Sequence, residues 1–246
     1  MIRRDRRMKK MAIFVEGGTE LAFTEKLLLE IAGAKNIQVH KEKDRGGGKV
    51  GRYITFIGKV GAQQDHHHYV LLVDCGGDDR VRSVIKDRYK SLCDERYRVI
   101  VGLRDIRGER EGRRMTYADI PNMLKWMDYG VPMQPIRPTM VLAVMEIEAW
   151  FLAEHSHFSR VDSRLTLPQV TQILGFDPST GAVEERPEPS NDLDTVYRTV
   201  GKAYEKVPAS TQATIDALDY NVVYLGLKSR TPNIFPLIDA INEFLN

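Results

Sequence analysis

Short apolar runs alternate with amphipathic stretches along the first part of the chain. Met11–Val15, Tyr69–Val73 and Thr139–Met145 are almost wholly apolar, which is typical of strands buried on both faces of a parallel sheet. Leu21–Ile31 and Asp79–Glu95 have the apolar spacing of helices. Strands that alternate with helices predict an α/β fold, with a mostly parallel sheet and helices on both faces.

The same pattern predicts further elements between these runs. Asn36–His40 and Tyr97–Leu103 are expected to be strands, while Val50–Gln64 and Thr116–Asp128 are expected to be helices. They complete an α/β domain over residues 1–155.

The pattern changes from about Ser156 onwards. Asp177–Asn191 is rich in proline, glycine and acidic residues, which predicts a mobile loop or short linker. Helical spacing follows over Asp192–Val207, Ser210–Leu218 and Asn233–Leu245, with no evident strand between them. Residues 156–246 are therefore expected to form a C-terminal helical subdomain, either separate from the α/β domain or packed with it as one unit.

Acidic residues follow the ends of several predicted strands. They are Glu16 with Glu20, Asp74 with Asp78 and Asp79, Asp105 beside Arg104, and Glu146 with Glu148. The carboxyl ends of parallel strands meet at one edge of the sheet, so these groups are expected to converge. Carboxylates in one place repel each other unless a cation neutralises them, and oxygen-only ligands favour Mg²⁺ or Mn²⁺.

Some of these acidic residues can also be explained by a purely structural role. Glu16 is equally explained as a turn residue, with Thr19 and Glu20 capping the next helix. Glu146 and Glu148 alternate along the chain, so in an extended segment only one of them would face the site. Glu148 is the preferred candidate, and its alternative is a helix N-terminal residue favoured by the helix dipole.

Two strand-end motifs resemble a known fold. VEGGTE (Val15–Glu20) and LLVDCGGDD (Leu71–Asp79) are similar to the motifs of the Toprim fold of topoisomerases, primases and OLD-type nucleases. Met145–Ala153 (MEIEAWFLA) and Thr231–Phe244 (TPNIFPLIDAINEF) resemble the Toprim-related DUF4276 family. The resemblance implies a Toprim/Rossmann-like sheet and an AAA or ABC-type ATPase partner in a phage-defence system.

The resemblance also implies roles for particular residues. Glu16 would be the metal-binding and acid/base glutamate, Glu20 would assist it, and Asp74 would be the first aspartate of the acidic motif. Toprim proteins usually have DxD, but Gly76 stands two positions after Asp74. The second ligand would then be Asp78 or Asp79, or would be absent.

The net charge of the whole chain says little about its function. Lys and Arg number 36 against 34 Asp and Glu, a net charge of +2, which argues against strong unassisted nucleic-acid binding. The candidates for contacting a nucleic-acid backbone are Lys49, Arg52, Arg104, Lys228 and Arg230. Each one singly is more typical of a solvated surface.

Other classes of protein are disfavoured. Gly46–Lys49 (GGGK) lacks the first glycine and the Ser or Thr of a P-loop, so ATP binding by this chain is rejected. Cys75 and Cys93 have no zinc-ligand spacing. The chain shows neither a signal peptide nor an apolar run of membrane-spanning length, so a cytoplasmic protein without membrane contact is expected.

The leading hypothesis is a Mg²⁺-dependent Toprim-type nuclease that hydrolyses phosphodiester bonds of DNA or RNA. Its metal ligands are expected among Glu16, Glu20, Asp74, Asp78, Asp79 and Glu148. The alternative is a catalytically degenerate Toprim-like subunit that regulates or assembles an ATPase complex. A weaker third hypothesis is phosphoryl transfer on a nucleotide or small phosphate ester. The sequence does not distinguish DNA from RNA or give the oligomeric state.

Overall fold

A six-stranded sheet forms the centre of the fold in the computed structural model, which describes residues 8–47, 50–64, 66–77, 80–106, 109–110 and 113–246. The strands are β1 (Lys9–Val15), β2 (Ile37–Gly47), β3 (Val50–Gly61), β4 (His68–Asp74), β5 (Val99–Asp105) and β8 (Thr139–Ala143). Their order is β3-β2-β4-β1-β5-β8. All neighbours pair parallel except β2 and β3, which form an antiparallel hairpin. A separate short hairpin joins β6 (Glu109–Arg110) to β7 (Arg113–Arg114).

Helices occupy both faces of the sheet. On β1, Met11, Ile13 and Val15 belong to one apolar core, whereas Ala12 and Phe14 belong to the other, because successive strand residues point to opposite faces. The first core includes helix α1 (Gly18–Ala32), and the second includes α2 (Arg80–Asp94) and α3 (Ile120–Asp128). The predicted α/β class with two helical layers is confirmed.

The helices after β8 extend the core on the α1 face. They are α4 (Glu148–Ala153), α5 (His157–Val161), α6 (Leu167–Leu174), α7 (Pro189–Arg198), α8 (Pro208–Ala217) and α9 (Phe235–Leu245). Trp150, Val196 and Ile238 pack in the same cluster as β1 and α1. The division between residues 155 and 156 stays a prediction.

Several sequence expectations differ from the structure. Strand β2 continues to Gly47, beyond the strand expected over Asn36–His40, and α7 ends at Arg198, before the end of the helix expected over Asp192–Val207. Residues 50–61 form strand β3 and not a helix. Val50, Ile54, Thr55, Ile57 and Val60 are β-branched, and β-branched residues favour strands over helices. The expected loop over Asp177–Asn191 contains a 3-10 turn at Val183–Glu185, and α7 already begins at Pro189. Val183 is fully buried, so hydrophobic packing fixes that turn.

Candidate functional site

The carboxyl ends of four neighbouring parallel strands lie side by side. Val15, the last residue of β1, aligns with Asp74 of β4 and Leu103 of β5, and Asp105 aligns with Ala143 of β8. The loops that follow are in contact, since Cys75 N donates to Val15 O (2.8 Å) and Gly77 N donates to Glu16 O (3.0 Å). Residues that end these strands or follow them share one edge of the sheet.

Five carboxylates meet at this edge, and we call them the acidic cluster: Glu16, Glu20, Asp105, Glu146 and Glu148. Backbone donors connect its parts. Asp105 N donates to Glu16 Oε2 (3.0 Å), which joins the ends of β1 and β5. Ile147 N donates to Asp105 Oδ1 (3.1 Å), which joins β5 to the turn before α4.

Burial and mutual repulsion shift the proton affinities of the cluster. Burial, followed by the charge of Glu148, raises the pKa of Glu20 to about 7. Burial raises the pKa of Asp105 well above its ordinary value, and the charges of Glu20 and Glu16 add to this effect. The pKa of Glu148 is raised as well, again chiefly by burial. An environment that favours protonated carboxyls also favours a cation that would neutralise the charged forms.

Lys206, in the connection between α7 and α8, supplies positive charge to the cluster. Its Nζ lies 3.0 Å from Glu146 Oε1 and 3.2 Å from Glu148 Oε1. Burial opposes the charged ammonium group, but Glu148 and Glu146 raise the pKa of Lys206 above its ordinary value. The Tyr204 hydroxyl donates to Glu148 Oε1 (2.8 Å). Glu148 Oε2 is buried and has no hydrogen-bond partner in the described part of the chain.

Glu146 and Glu148 both take part, which corrects the expectation that only one would face the site. The alternation argument requires an extended backbone, but Met145 has a φ of 62° and α4 begins at Glu148. The resulting bend brings both carboxylates to Lys206. Glu146 Oε2 also accepts a hydrogen bond from Ser190 N (2.8 Å) at the start of α7.

Asp74 has a different set of partners. It is 2% exposed, its Oδ2 lies 2.5 Å from Lys43 Nζ, and its Oδ1 accepts a hydrogen bond from Gly76 N (2.8 Å). Lys43 is the residue of β2 in register with Asp74. The candidates for a second aspartate, Asp78 and Asp79, lie outside the described residues.

The donor chemistry of the acidic cluster fits a hard divalent cation. All of its side-chain ligand atoms are carboxylate oxygens, and one oxygen of Glu148 is buried without a partner among the described residues. No three His, Cys, Asp or Glu side chains within the described ranges are already arranged as a metal-binding group. Binding an ion would therefore require Lys206 or neighbouring side chains to move.

The predicted contacts to a nucleic-acid backbone have varied surroundings. Arg104 is 5% exposed, its guanidinium lies 5.1 Å from the Trp126 ring centroid, and its Nε donates to Asp105 O (3.1 Å). A side chain buried to this extent does not offer the surface that a phosphate contact needs, which corrects that expectation. Arg52 pairs with Asp44 and Asp87.

The remaining candidates for contacting nucleic acid lie in the C-terminal region or outside the described residues. Arg230 donates to Pro178 O, and burial lowers the pKa of its guanidinium. Lys228 is exposed, with its Nζ 5.3 Å from the Phe235 ring centroid. Lys49 lies outside the described residues.

Sequence reasoning missed three contributors to the site. Asp105 was noted at a strand end but was not included among the ligands, although the strand-end argument applies to it fully. Lys206 and Tyr204 lie about 60 residues after Glu146 and Glu148 in the chain. No motif surrounds them, so only the folded arrangement identifies them.

Comparisons with known proteins add little. No family model and no curated protein matches the chain. A search of solved structures found a similarity to the crystal structure of "the putative cell surface hydrolase from Lactobacillus plantarum WCFS1", with 9% identity and a TM-score of 0.33. The match covers 69% of this chain and 64% of that one. No helix in the described part of the chain has both the length and the apolar composition needed to cross a bilayer.

Proposed function

We propose that this protein is a divalent-metal-dependent nuclease that hydrolyses phosphodiester bonds of DNA or RNA. The observation that carries the proposal is the acidic cluster, where carboxylates from four segments meet at the carboxyl edge of a parallel sheet. This edge is where open α/β sheets bind their ligands. The motif resemblance to Toprim proteins supports the same chemistry.

Particular residues would hold the ion. Glu16 provides oxygen ligands from the turn after β1, and Glu20, Asp105 and Glu148 provide them from α1, β5 and α4. A bound Mg²⁺ or Mn²⁺ would polarise the phosphate and lower the pKa of a bound water. Lys206 would place a positive charge beside the anionic substrate, and Tyr204 would orient Glu148 through its hydrogen bond. Asp74 would contribute only after release from Lys43.

An ATPase partner is part of the proposal. The net charge of +2 and the internal pairing of Arg52 and Arg104 leave the chain poorly suited to hold nucleic acid unaided. An AAA or ABC-type ATPase that presents the substrate would supply the missing affinity. Control by such a partner would also restrain a nuclease inside the cell, as a phage-defence effector requires.

Cleavage and metal binding should be measured separately. Plasmid DNA, single-stranded DNA and total tRNA are incubated with Mg²⁺ or Mn²⁺ or with EDTA, with and without any co-purifying ATPase. Glu16→Gln should lower metal-dependent cleavage by about 100-fold or more, because it removes a charged ligand and acid/base group. Glu30→Gln, on the exposed side of α1, is the matched control and should retain activity.

A second candidate function is a non-catalytic Toprim-like subunit of an ATPase complex. The observation in its favour is that Lys206 and Lys43 already place ammonium groups on the carboxylates that a metal would use. Calorimetry with Mn²⁺ distinguishes the two candidates. Binding that is lost in Glu16→Gln supports the nuclease, whereas no binding and no cleavage under any condition supports the non-catalytic subunit.

A further inference from the structure

Strand β3 is the end strand of the sheet. It pairs with β2 on one side, and no other strand in the described ranges pairs with its outer edge. An uncovered edge presents backbone N–H and C=O groups that can pair with another strand. Proteins usually protect such edges with charged residues, proline or bulges.

The middle of β3 has little of this protection. Tyr53–Gly58 (YITFIG) contains no charged residue and no proline. Tyr53, Ile54, Phe56 and Ile57 are 52%, 51%, 57% and 45% exposed. The register shift opposite Lys41 and Glu42 makes Ile57 a bulged residue, and a second shift interrupts the ladder between Tyr53 and Val50. Residues 53–56 therefore remain as the regular segment that can pair.

Apolar side chains extend from both faces of this edge. Ile54 and Phe56 lie in register with Asp44 and Glu42, whose partners Arg80 and Arg88 belong to α2. Tyr53 is one residue out of phase with them and therefore points to the opposite face. A partner packed against one face would leave the other face uncovered. A strand added to the edge places its side chains beside both faces.

We propose that β3 pairs antiparallel with β3 of a second copy of this chain, which would continue the sheet across a two-fold axis. The edge suits its own copy because two uncharged apolar segments meet there. Arg52, at its border, is already neutralised by Asp44 and Asp87, with Nη2–Oδ2 and Nη1–Oδ2 distances of 2.7 and 2.6 Å. Like charges therefore do not oppose the pairing.

The available area is consistent with a specific but modest dimer. The two half-exposed aromatic side chains offer on the order of 100 Å² each and the two isoleucines somewhat less, so the four together offer at most roughly 350 Å² per chain. A two-fold interface uses the patch twice. With the paired backbone and flanking residues, the total approaches the ~1,000 Å² at which specific interfaces begin.

Analytical ultracentrifugation over a wide concentration range tests the proposal. The wild type should form a dimer at micromolar concentrations. Tyr53→Lys and Phe56→Lys alter opposite faces of β3, and each should raise the dissociation constant by about tenfold or more. Tyr129→Lys is the matched control, because Tyr129 is 76% exposed and lies far from β3 in the chain; it should leave the dimer unchanged. Circular dichroism confirms that each variant is folded.

Hydrogen–deuterium exchange gives a second measurement that does not depend on the variants. Amides of residues 50–61 should exchange more slowly as the wild-type concentration rises, while those of α9 should not change. A wild type that stays monomeric at all concentrations overturns the proposal, even if another protein covers β3. A dimer that only one of the two lysine variants weakens also overturns it, because that result indicates packing on one face. The proposal is independent of nuclease activity.

Discussion

Lys206 balances part of the negative charge that the acidic cluster brings together. Its ammonium group contacts Glu146 and Glu148, both of which are fully buried. Removing one partner of a buried ion pair leaves an uncompensated charge, which costs more than the net contribution of the pair. The same residue keeps a cation where the proposed metal would bind. Replacing Lys206 should therefore lower the stability of the protein but raise its affinity for the metal.

Lys206→Met should destabilise the protein by about 2 kcal/mol near neutral pH, less than for a fully buried ion pair, because the Lys206 side chain is 35% exposed. Burial holds the pKa of Glu148 above its ordinary value. The stability lost in Lys206→Met should therefore become smaller as the pH falls and this carboxyl becomes protonated. Adding Mn²⁺ should also restore part of the lost stability. Urea unfolding measures these effects. Lys90→Met, at the exposed Lys90–Asp94 pair, is the control and should change stability by less than about 1 kcal/mol.

Glu184 is a buried carboxyl in the turn between α6 and α7. Its Oε2 accepts a hydrogen bond from Asn233 Nδ2 (3.1 Å). Burial raises its pKa from 4.5 to about 7, against the opposing effect of that hydrogen bond. The folded state therefore keeps a proton that the unfolded chain releases above its ordinary pKa. The stability that this group contributes is complete below pH 4.5 and is lost as the pH rises to about 7.

Glu184→Gln should remove this pH dependence. We expect the variant and the wild type to have similar stability near pH 4.5. The variant should become the more stable protein towards about pH 8, by up to roughly 3 kcal/mol. Urea unfolding at a series of pH values tests this. Glu185→Gln, at the exposed neighbouring residue, should follow the wild-type curve, and a parallel curve for Glu184→Gln would refute the pKa assignment.

Individual residues of the site differed in how far the sequence could predict them. The position of Glu16 and Asp105 at the site could be predicted from the sequence, because each stands at the end of an apolar run and parallel strands align their ends. The positions of Lys206 and Tyr204 could not be predicted, since a contact across about 60 residues depends on tertiary packing alone. The sequence did not predict that Glu146 would join Glu148 at the site, because a methionine gives no sign of the positive φ that bends the chain at Met145.

At the scale of elements, the β2–β3 hairpin links the sheet edge to the site. Lys43 of β2 contacts Asp74, and the next residue, Asp44, is fully buried between Arg52 of β3 and Arg80 of α2. The hairpin closes onto the sheet at Gly61, where the backbone has a φ of 84°. A Cβ there would lie 2.3 Å from Ile37 O, so only glycine fits without movement of the backbone.

Gly61→Ala should therefore destabilise the protein by about 2 kcal/mol or more, through backbone strain and the contact with Ile37 O. Thermal unfolding measures the change. Gly58→Ala in the same strand is the matched control, because the nearest atom to its Cβ would be Lys41 Cε at 3.9 Å. Equal losses in the two variants would show that the strain at Gly61 has no special cost.

The elements themselves were largely predictable. Strands β1, β4, β5 and β8 coincide with apolar runs, because strands buried on both faces need continuous apolar sequence. The exception, β3, is an edge strand with exposed residues on both faces, so neither an apolar run nor a strict alternation marks it. Only its β-branched composition pointed to a strand.

At the scale of the whole molecule, charge limits what the chain can hold by itself. The 36 basic residues are offset by 34 acidic ones, and Arg52, Arg104 and Arg230 already contact other parts of the protein. A nucleic acid that approaches the acidic cluster also meets several carboxylates. Binding by the isolated chain should therefore depend on few phosphate contacts.

Fluorescence anisotropy with labelled DNA and RNA tests this expectation through salt dependence. Each neutralised phosphate adds about −0.9 for duplex DNA to the slope of log affinity against log salt. We expect a slope of about −3 or shallower for the chain alone, and a steeper slope once an ATPase partner supplies basic surface. A slope near −6 or steeper for the isolated chain would contradict this expectation. It would place the substrate-binding charge within this protein and remove the main physical reason for proposing the partner.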